Sequence, residues 1–190
     1  MLQPLSAGQQ RRLVEALGTV ESLLGARDAD RVPYMLRPPQ PGDMGWIVQR
    51  HGASYAEEYA YDHHFEALVA SIVAAFVEQF DPARERCWMA EKDGDVVGSV
   101  CLVRKSATVA KLRLLIVEPS ARGLGIGARL VAECVRFARQ AGYRKITLWT
   151  HSQLHAARHL YEAAGFRLVH KQATHSFGKD LVDETWELTL

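Results

Sequence analysis

The stretch VEPSARGLGIGARLV, Val117 to Val131, sets Gly123, Gly125 and Gly127 beside Arg122, between an apolar run and the start of an amphipathic segment. Glycine inside a helix costs about 1 kcal/mol relative to alanine, so three at alternate positions point to a backbone that bends sharply or is approached closely. Where an apolar strand hands over to a helix, unpaired N–H groups and the positive end of the helix dipole can hold a phosphate or pyrophosphate. Spacing discriminates among phosphate-binding loops. A P-loop requires Gly-Lys followed by Ser or Thr, and a dinucleotide fingerprint requires GxGxxG with an acid about twenty residues on. Here Gly127 precedes Ala128 and Arg129, and the next strand ends in Trp149, Thr150 and His151 with no carboxylate for a ribose. Both patterns are a poor match, and on residues alone a tight turn packing a helix on a sheet stays open as the plain alternative.

The elements around this loop follow from hydrophobic period. Ser6 with Gln9 makes a capping-box pattern, and Leu13, Leu17, Val20 and Leu24 recur at helical spacing until Gly25. A charged linker ends at Pro33, which divides the chain into an N-terminal helix and linker, 1–31, and a main domain, 32–190. Tyr34 to Arg37 then predicts a short strand, and Asp43 an N-cap for a helix through Trp46, Ile47 and His51. Phe65, Leu68, Val69, Ile72, Val73, Phe76, Val77 and Phe80 keep helical spacing over four turns and stop at Asp81-Pro82. Arg86 to Glu91 and Val96 to Arg104 flank KDGD as a hairpin, and Lys111 to Val117 is a third strand. From Gly125 onward Ile126, Leu130, Cys134, Phe137 and Ala141 line a helix facing the sheet; KITLWT and LHAARHLYEAAG add a strand and a helix, with Gly142 and Gly165 as C-terminal caps. The tail predicts two closing strands, RLVHKQATHSF and TWELTL, around a loop GKDLVDE. The order is helix, then β-α-α-β-β-β-α-β-α-β-β, an α/β mixed sheet with helices on both faces.

Composition sets outer limits. The chain has 190 residues, 48% of them hydrophobic, enough for one well-packed main domain. Lysine plus arginine (23) nearly balances aspartate plus glutamate (22), which gives no whole-chain attraction to nucleic acid or anionic membrane. Cys87, Cys101 and Cys134 lie far apart in apolar surroundings with no CxxC, so neither a zinc site nor a redox pair is expected, and no metal. The N-terminus lacks the pattern of a signal peptide and no apolar run is long enough to span a bilayer, so a soluble cytoplasmic protein is expected.

RGLGIG, Arg122 to Gly127, resembles the coenzyme-binding signature of the GCN5-related N-acetyltransferases. The resemblance continues through AGYRKITLWT and AARHLYEAAGFRLV, covering Lys111 to Val169 as consecutive strand, helix, strand, helix and strand, and in element order it extends from Tyr34 to Leu190. It implies a mixed, largely antiparallel central sheet and an enzyme that transfers an acetyl group from acetyl-CoA to a primary amine by direct attack. Cofactor-binding residues implied are Arg122, Gly123, Leu124, Gly125, Ile126, Gly127 and Ala128 for the pyrophosphate. Backbone groups of Leu115, Ile116 and Val117, on a strand that splays from its neighbour, would take the pantetheine arm. Tyr161 aligns with the family's helix tyrosine, the general acid for the leaving thiolate. A phenol of pKa near 10 is protonated at neutral pH and can donate to a thiolate of pKa about 8.5. The plain alternative for Tyr161 is a core tyrosine, and for Arg122 a solvated surface charge.

Two departures from the family stand out. Relatives often carry an asparagine seven residues before the tyrosine, where this chain has Leu154 after His151, Ser152 and Gln153. No acid occupies Lys111 to Val117; Glu118 lies beyond it, and Glu57, Glu58, His63, His64 or a water chain are the other candidates for the base. The acceptor would lie between SYAEEYAYDHHF and HSFGKDLVDETWEL, whose carboxylates among aromatics favour a cationic amine such as a polyamine, an aminated small molecule or a lysine side chain. Equally open is that Tyr55, Tyr59, Tyr61, Phe65 and Trp186 fill the core. LSAGQQRRLVEALGTVESLLG resembles the last helix of a MarR-type repressor, as in fusions of such regulators to acetyltransferases; it could instead pack on its own domain or pair two copies as a homodimer. The alternatives to an enzyme are an acetyl-CoA-sensing module and a fragment of a MarR-type regulator, with no DNA binding expected of this chain alone.

Overall fold

Alternation along the strands divides the apolar side chains between two faces of one sheet. The computed structural model describes residues 34–190 together with Leu13 and Ala16, both helical and exposed. The rest of the expected N-terminal helix, with its MarR-type resemblance, lies outside the described residues. Tyr34–Leu190 forms one compact unit. Its elements are β1 (Tyr34–Arg37), α1 (Asp43–Tyr59), α2 (His63–Glu78), β2 (Arg86–Lys92), β3 (Asp95–Arg104), β4 (Val109–Val117), α3 (Ile126–Gln140), β5 (Lys145–His151), α4 (His155–Ala163), β6 (Arg167–Ser176) and β7 (Lys179–Thr189). The seven-stranded sheet runs β1-β2-β3-β4-β5-β7-β6. Only the β4–β5 pair is parallel, so the sheet is mixed and largely antiparallel as expected.

On one face α1 and α2 press Ile47, Phe65, Val69, Val73 and Phe76 onto Cys87, Met89 and Cys101. On the other, α3 and α4 bring Ile126, Leu130, Cys134, Ala138 and Tyr161 against Ala90, Val100, Leu102, Leu112, Ile146 and Trp186. Each fully buried Leu, Ile, Val or Phe contributes about 1.5–3 kcal/mol, and these two layers hold the sheet from both sides.

Two local expectations are corrected. Gly42, with φ 102°, takes the N-cap position, and Asp43 is the first helical residue. The Asp43 carboxylate instead accepts the Gln40 N–H at 2.6 Å and the Arg37 guanidinium at 2.6 Å, tying α1 to β1. The segment GKDLVDE is not a loop. Phe177 (φ 54°) and Gly178 (φ 79°) make a two-residue turn with left-handed geometry at both positions, and β7 begins at once at Lys179.

One irregularity shapes the middle of the sheet. From Ser99 to Cys101 β3 advances two residues while β4 steps three, from Ile116 to Arg113, so β4 carries a bulge. Leu114 sits there at φ 54°, its carbonyl accepting the Ser99 hydroxyl at 3.2 Å. A bulge bends its strand and re-aims the groups beyond it. Beyond the pair Lys111↔Thr147, β4 and β5 have no further registered partners.

Candidate functional site

The parting of β4 and β5 leaves a strand edge inside the molecule. Glu118 N–H bonds Val97 C=O on β3 at 2.8 Å, so by strand alternation the polar groups of Leu115 and Val117 face the other way, toward the gap. Leu115, Ile116 and Val117 line a groove with Tyr55, Glu58, Arg122, Leu154, Ala157 and Leu160, which brings the predicted pantetheine segment together with α1 and α4.

At the head of α3 the three glycines divide their labour. Gly123 (φ 82°) and Gly125 (φ 79°) adopt left-handed backbone that L side chains rarely take, with open space where a Cβ would point. Gly127 serves close approach, since a Cβ there would lie 2.8 Å from Leu160 Cδ1 on α4. The first helical bond at this end is Arg129 N–H to Gly125 C=O. Among the described residues no hydrogen bond engages the N–H groups of Gly123, Leu124, Gly125, Ile126, Gly127 or Ala128. A run of free amides at the positive end of a helix is a ready anion cradle. Arg122 stands apart from it: its guanidinium binds the Glu58 carboxylate of α1 at 2.9 and 2.5 Å, and its Nε donates to Val117 C=O at 3.3 Å.

Tyr161 is buried on α4, its ring 5.9 Å from that of Phe166. Burial, with a lesser contribution from Cys134, pushes its phenol above the ordinary value, so it is protonated at neutral pH. Its hydroxyl has no hydrogen-bond partner among the described residues. It lines a second cavity, of about 90 Å³, which shares Tyr55, Leu115, Leu154 and Ala157 with the groove. The buried end of this cavity is formed by His51, His151 and Tyr161; the half-exposed end by Leu68, Ile72, Lys111, Arg113 and Trp149. Leu154, where relatives place an asparagine, is buried at the start of α4 and gives that helix no side-chain cap.

None of the predicted base candidates reaches the second cavity. Glu118 is clasped by Arg50 at 2.5 and 2.7 Å, and Glu58 by Arg122. Glu57 is exposed, and so are His63 and His64, which stack on each other. Two histidines that the sequence did not single out take their place. His51 donates Nδ1–H to Ile47 C=O at 2.8 Å, a bond that leaves Nε2 with the lone pair. Burial drives its pKa down to about 4. His151 Nδ1 meets the Tyr61 hydroxyl at 2.8 Å, Tyr61 also accepts from Gln153 Nε2 at 3.1 Å, and His151 Nε2 lies 3.3 Å from Asp183 Oδ1. Burial lowers its pKa despite Asp183, so both rings are neutral at neutral pH. Each sits at an ordinary helical or strand position, and a lone histidine on an apolar face gives no signal in sequence.

The aromatics expected around an acceptor are largely structural. Tyr61 and Phe65 pack edge to face, Phe177 stacks on Tyr61, and Trp186 lies in the opposite core layer. No carboxylate lines the second cavity. No group of three metal-ligating side chains occurs among the described residues, and no described helix is long and apolar enough to cross a membrane. Cys87, Cys101 and Cys134 are free and buried.

Residues 49–166 match the family described as the acetyltransferase (GNAT) family. A mycothiol acetyltransferase from Beutenbergia cavernae is 30% identical over 153 residues, 71% of this chain and 49% of that protein. N-acetyltransferase 8B from Homo sapiens is 35% identical over 101 residues, 50% of this chain and 44% of that protein. The chain thus spans about half the length of these relatives. Among solved structures, yncA from Salmonella typhimurium, determined with its cofactor acetyl-CoA, superposes with a TM-score of 0.68 at 18% identity, covering 83% of this chain and 94% of that one. A ribosomal-protein-alanine N-acetyltransferase from Brucella melitensis gives 0.67 at 19% identity, covering 82% and 99%.

Proposed function

The chain belongs to the acetyltransferase (GNAT) family, and from that premise we propose that it moves an acetyl group from acetyl-CoA to a primary amine. What carries the reading is a continuity: the strand edge of Leu115 and Val117, which β5 leaves unpaired, leads directly to the unpaired amides of Gly123 through Ala128. The acetyl thioester supplies an activated carbonyl and a thiolate leaving group. Gly123, Leu124, Gly125, Ile126, Gly127 and Ala128 would grip the diphosphate through N–H donors, and Arg122 would join them on release from Glu58. Leu115, Ile116 and Val117 would pair with the amide-bearing arm as a missing strand pairs, and a main-chain N–H would polarise the acetyl carbonyl.

Tyr161 lines the cavity, which shares Tyr55, Leu115, Leu154 and Ala157 with the groove, and its protonated hydroxyl has no hydrogen-bond partner among the described residues. It would donate to the departing thiolate. A neutral acceptor for the amine's proton comes from the cavity's buried end, His51 through Nε2, while His151, held between Tyr61 and Asp183, would line the site beside it. The three buried free thiols support a reducing compartment such as the cytoplasm. Segment 1–31 is assigned by its resemblance alone to the last helix of a MarR-type module.

The test joins binding to turnover. Calorimetry with acetyl-CoA should give saturable heat, and a thiol-release assay over a panel of amines should give amine-dependent free thiol. Absence of heat at millimolar coenzyme would overturn the proposal.

A further inference from the structure

The second cavity carries charge of a sign that the acidic sequence around it does not suggest. Lys111 and Arg113 are its charged lining residues, and no carboxylate faces it. They lie two apart on β4, a spacing that puts both on one sheet face about 7 Å apart. Among the described residues neither side chain makes an ion pair or a hydrogen bond. The nearby Glu85 is already committed: its two oxygens accept the Arg104 N–H at 2.9 Å and the Asp81 N–H at 3.3 Å. Other carboxylates near this face are occupied too, Asp183 beside His151 and Glu58 with Arg122.

Half-buried cations without counter-charge are uncommon, because desolvation penalises the charged form. Burial lowers the pKa of both, and for Lys111 the charges of Arg113 and Lys105 add to the effect. Such a pair repels a polyamine or a lysine ammonium and attracts a carboxylate, which arginine can bind through two parallel N–H donors. Leu68, Ile72 and Trp149 add apolar lining beside the cations, and the Trp149 ring lies 4.5 Å from that of His151. The cavity is therefore amphipathic along its length, cationic at its half-exposed end and neutral and proton-accepting at its buried end.

We infer that the acceptor is an amine carrying its own carboxylate, an amino-acid-like molecule with an apolar body, anchored by Lys111 and Arg113 with its amine toward His51, His151 and Tyr161. This deepens the acetyltransferase reading and rests on it for the direction of the amine. It replaces the cationic acceptor that the sequence suggested, because the carboxylates expected to attract one face elsewhere.

The experiment uses matched trios: apolar and aromatic amino acids, their amides and their decarboxylated amines. Each is titrated calorimetrically into the full chain with coenzyme A present and absent, and each is assayed for thiol release. The acid of the preferred trio should bind about tenfold more tightly than its amide and amine, with a matching advantage in kcat/KM. Lys111→Met and Arg113→Met keep the stem that packs in the wall and should shrink the advantage to about twofold, with acetyl-CoA affinity unchanged. Lys111→Arg and Arg113→Lys should retain most of it. An amide or amine that equals its acid in every trio, or no saturable binding of any acid, would overturn the inference even where acetyl-CoA binds. Acid preference in a protein that gives no heat with acetyl-CoA would support the anion site and sink the transferase reading instead.

Discussion

Replacing Tyr161 by phenylalanine deletes one oxygen that has no hydrogen-bond partner among the described residues. Two tyrosines with contrasting partners allow the consequence to be sized. The Tyr143 hydroxyl donates to Arg84 C=O at 2.8 Å, and Tyr143→Phe should cost about 1 kcal/mol of stability with no effect on turnover. Tyr161→Phe breaks no such bond, so its stability should stay within about 0.5 kcal/mol of the parent. Turnover is where it should show. Loss of a positioned general acid lowers kcat by about 10²- to 10⁴-fold, roughly 3–5 kcal/mol of barrier. Burial raises the phenol above its usual value, which keeps it protonated, and the same dry seam raises the proton affinity of the departing thiolate, so the transfer stays feasible. Denaturant melts of both variants, calorimetric acetyl-CoA affinity and stopped-flow thiol release make the comparison. A Tyr161→Phe enzyme within twofold of parental kcat, or one destabilised as much as Tyr143→Phe, would refute the reasoning.

Three further expectations follow from named contacts. His51 has a folded pKa near 4 against about 6.5 unfolded, so the unfolded chain binds the extra proton; its contribution, on the order of 3 kcal/mol, is complete above pH 6.5 and lost as pH falls toward 4, and urea melts at pH 7 and 5 should show a loss that His51→Gln lacks. Gly127→Ala drives a Cβ to 2.8 Å from Leu160 Cδ1, the far end of a half-buried side chain that can turn aside, while alanine gains about 1 kcal/mol of helix propensity, so urea melts should place its stability within about 1 kcal/mol of the parent. Glu58→Gln frees Arg122 from a largely exposed pair, so acetyl-CoA should bind several-fold more tightly by calorimetry while stability shifts by about 1 kcal/mol or less.

Helices and strands were legible where one face is continuous: the stripe from Phe65 to Phe76 and the alternation through Cys87, Met89 and Cys101 predict the core beneath α1 and α2. The sharp turn at Gly123 and Gly125 was legible because glycine types declare backbone demands locally. The first half of β7 was not, since Lys179, Asp180 and Asp183 look like a loop until they pair with Ser176, His175 and Gln172 of β6, whereas its second half, TWELTL, was read as a strand. The partners that decide chemistry are remote in sequence. Arg122 finds Glu58 across 64 positions and His151 finds Tyr61 across 90. Lys111 and Arg113, read along the chain, are indistinguishable from a solvated strand edge, and only the cavity above them gives their charge a direction.

β4 and β5 are registered at Val109↔Lys145, Ala110↔Ile146 and Lys111↔Thr147 and nowhere further along. Mechanically the sheet is then a pair of plates riveted at one corner. An elongated guest laid along the opening would cross-brace them, and slower amide exchange should spread into both plates rather than stay beside the guest.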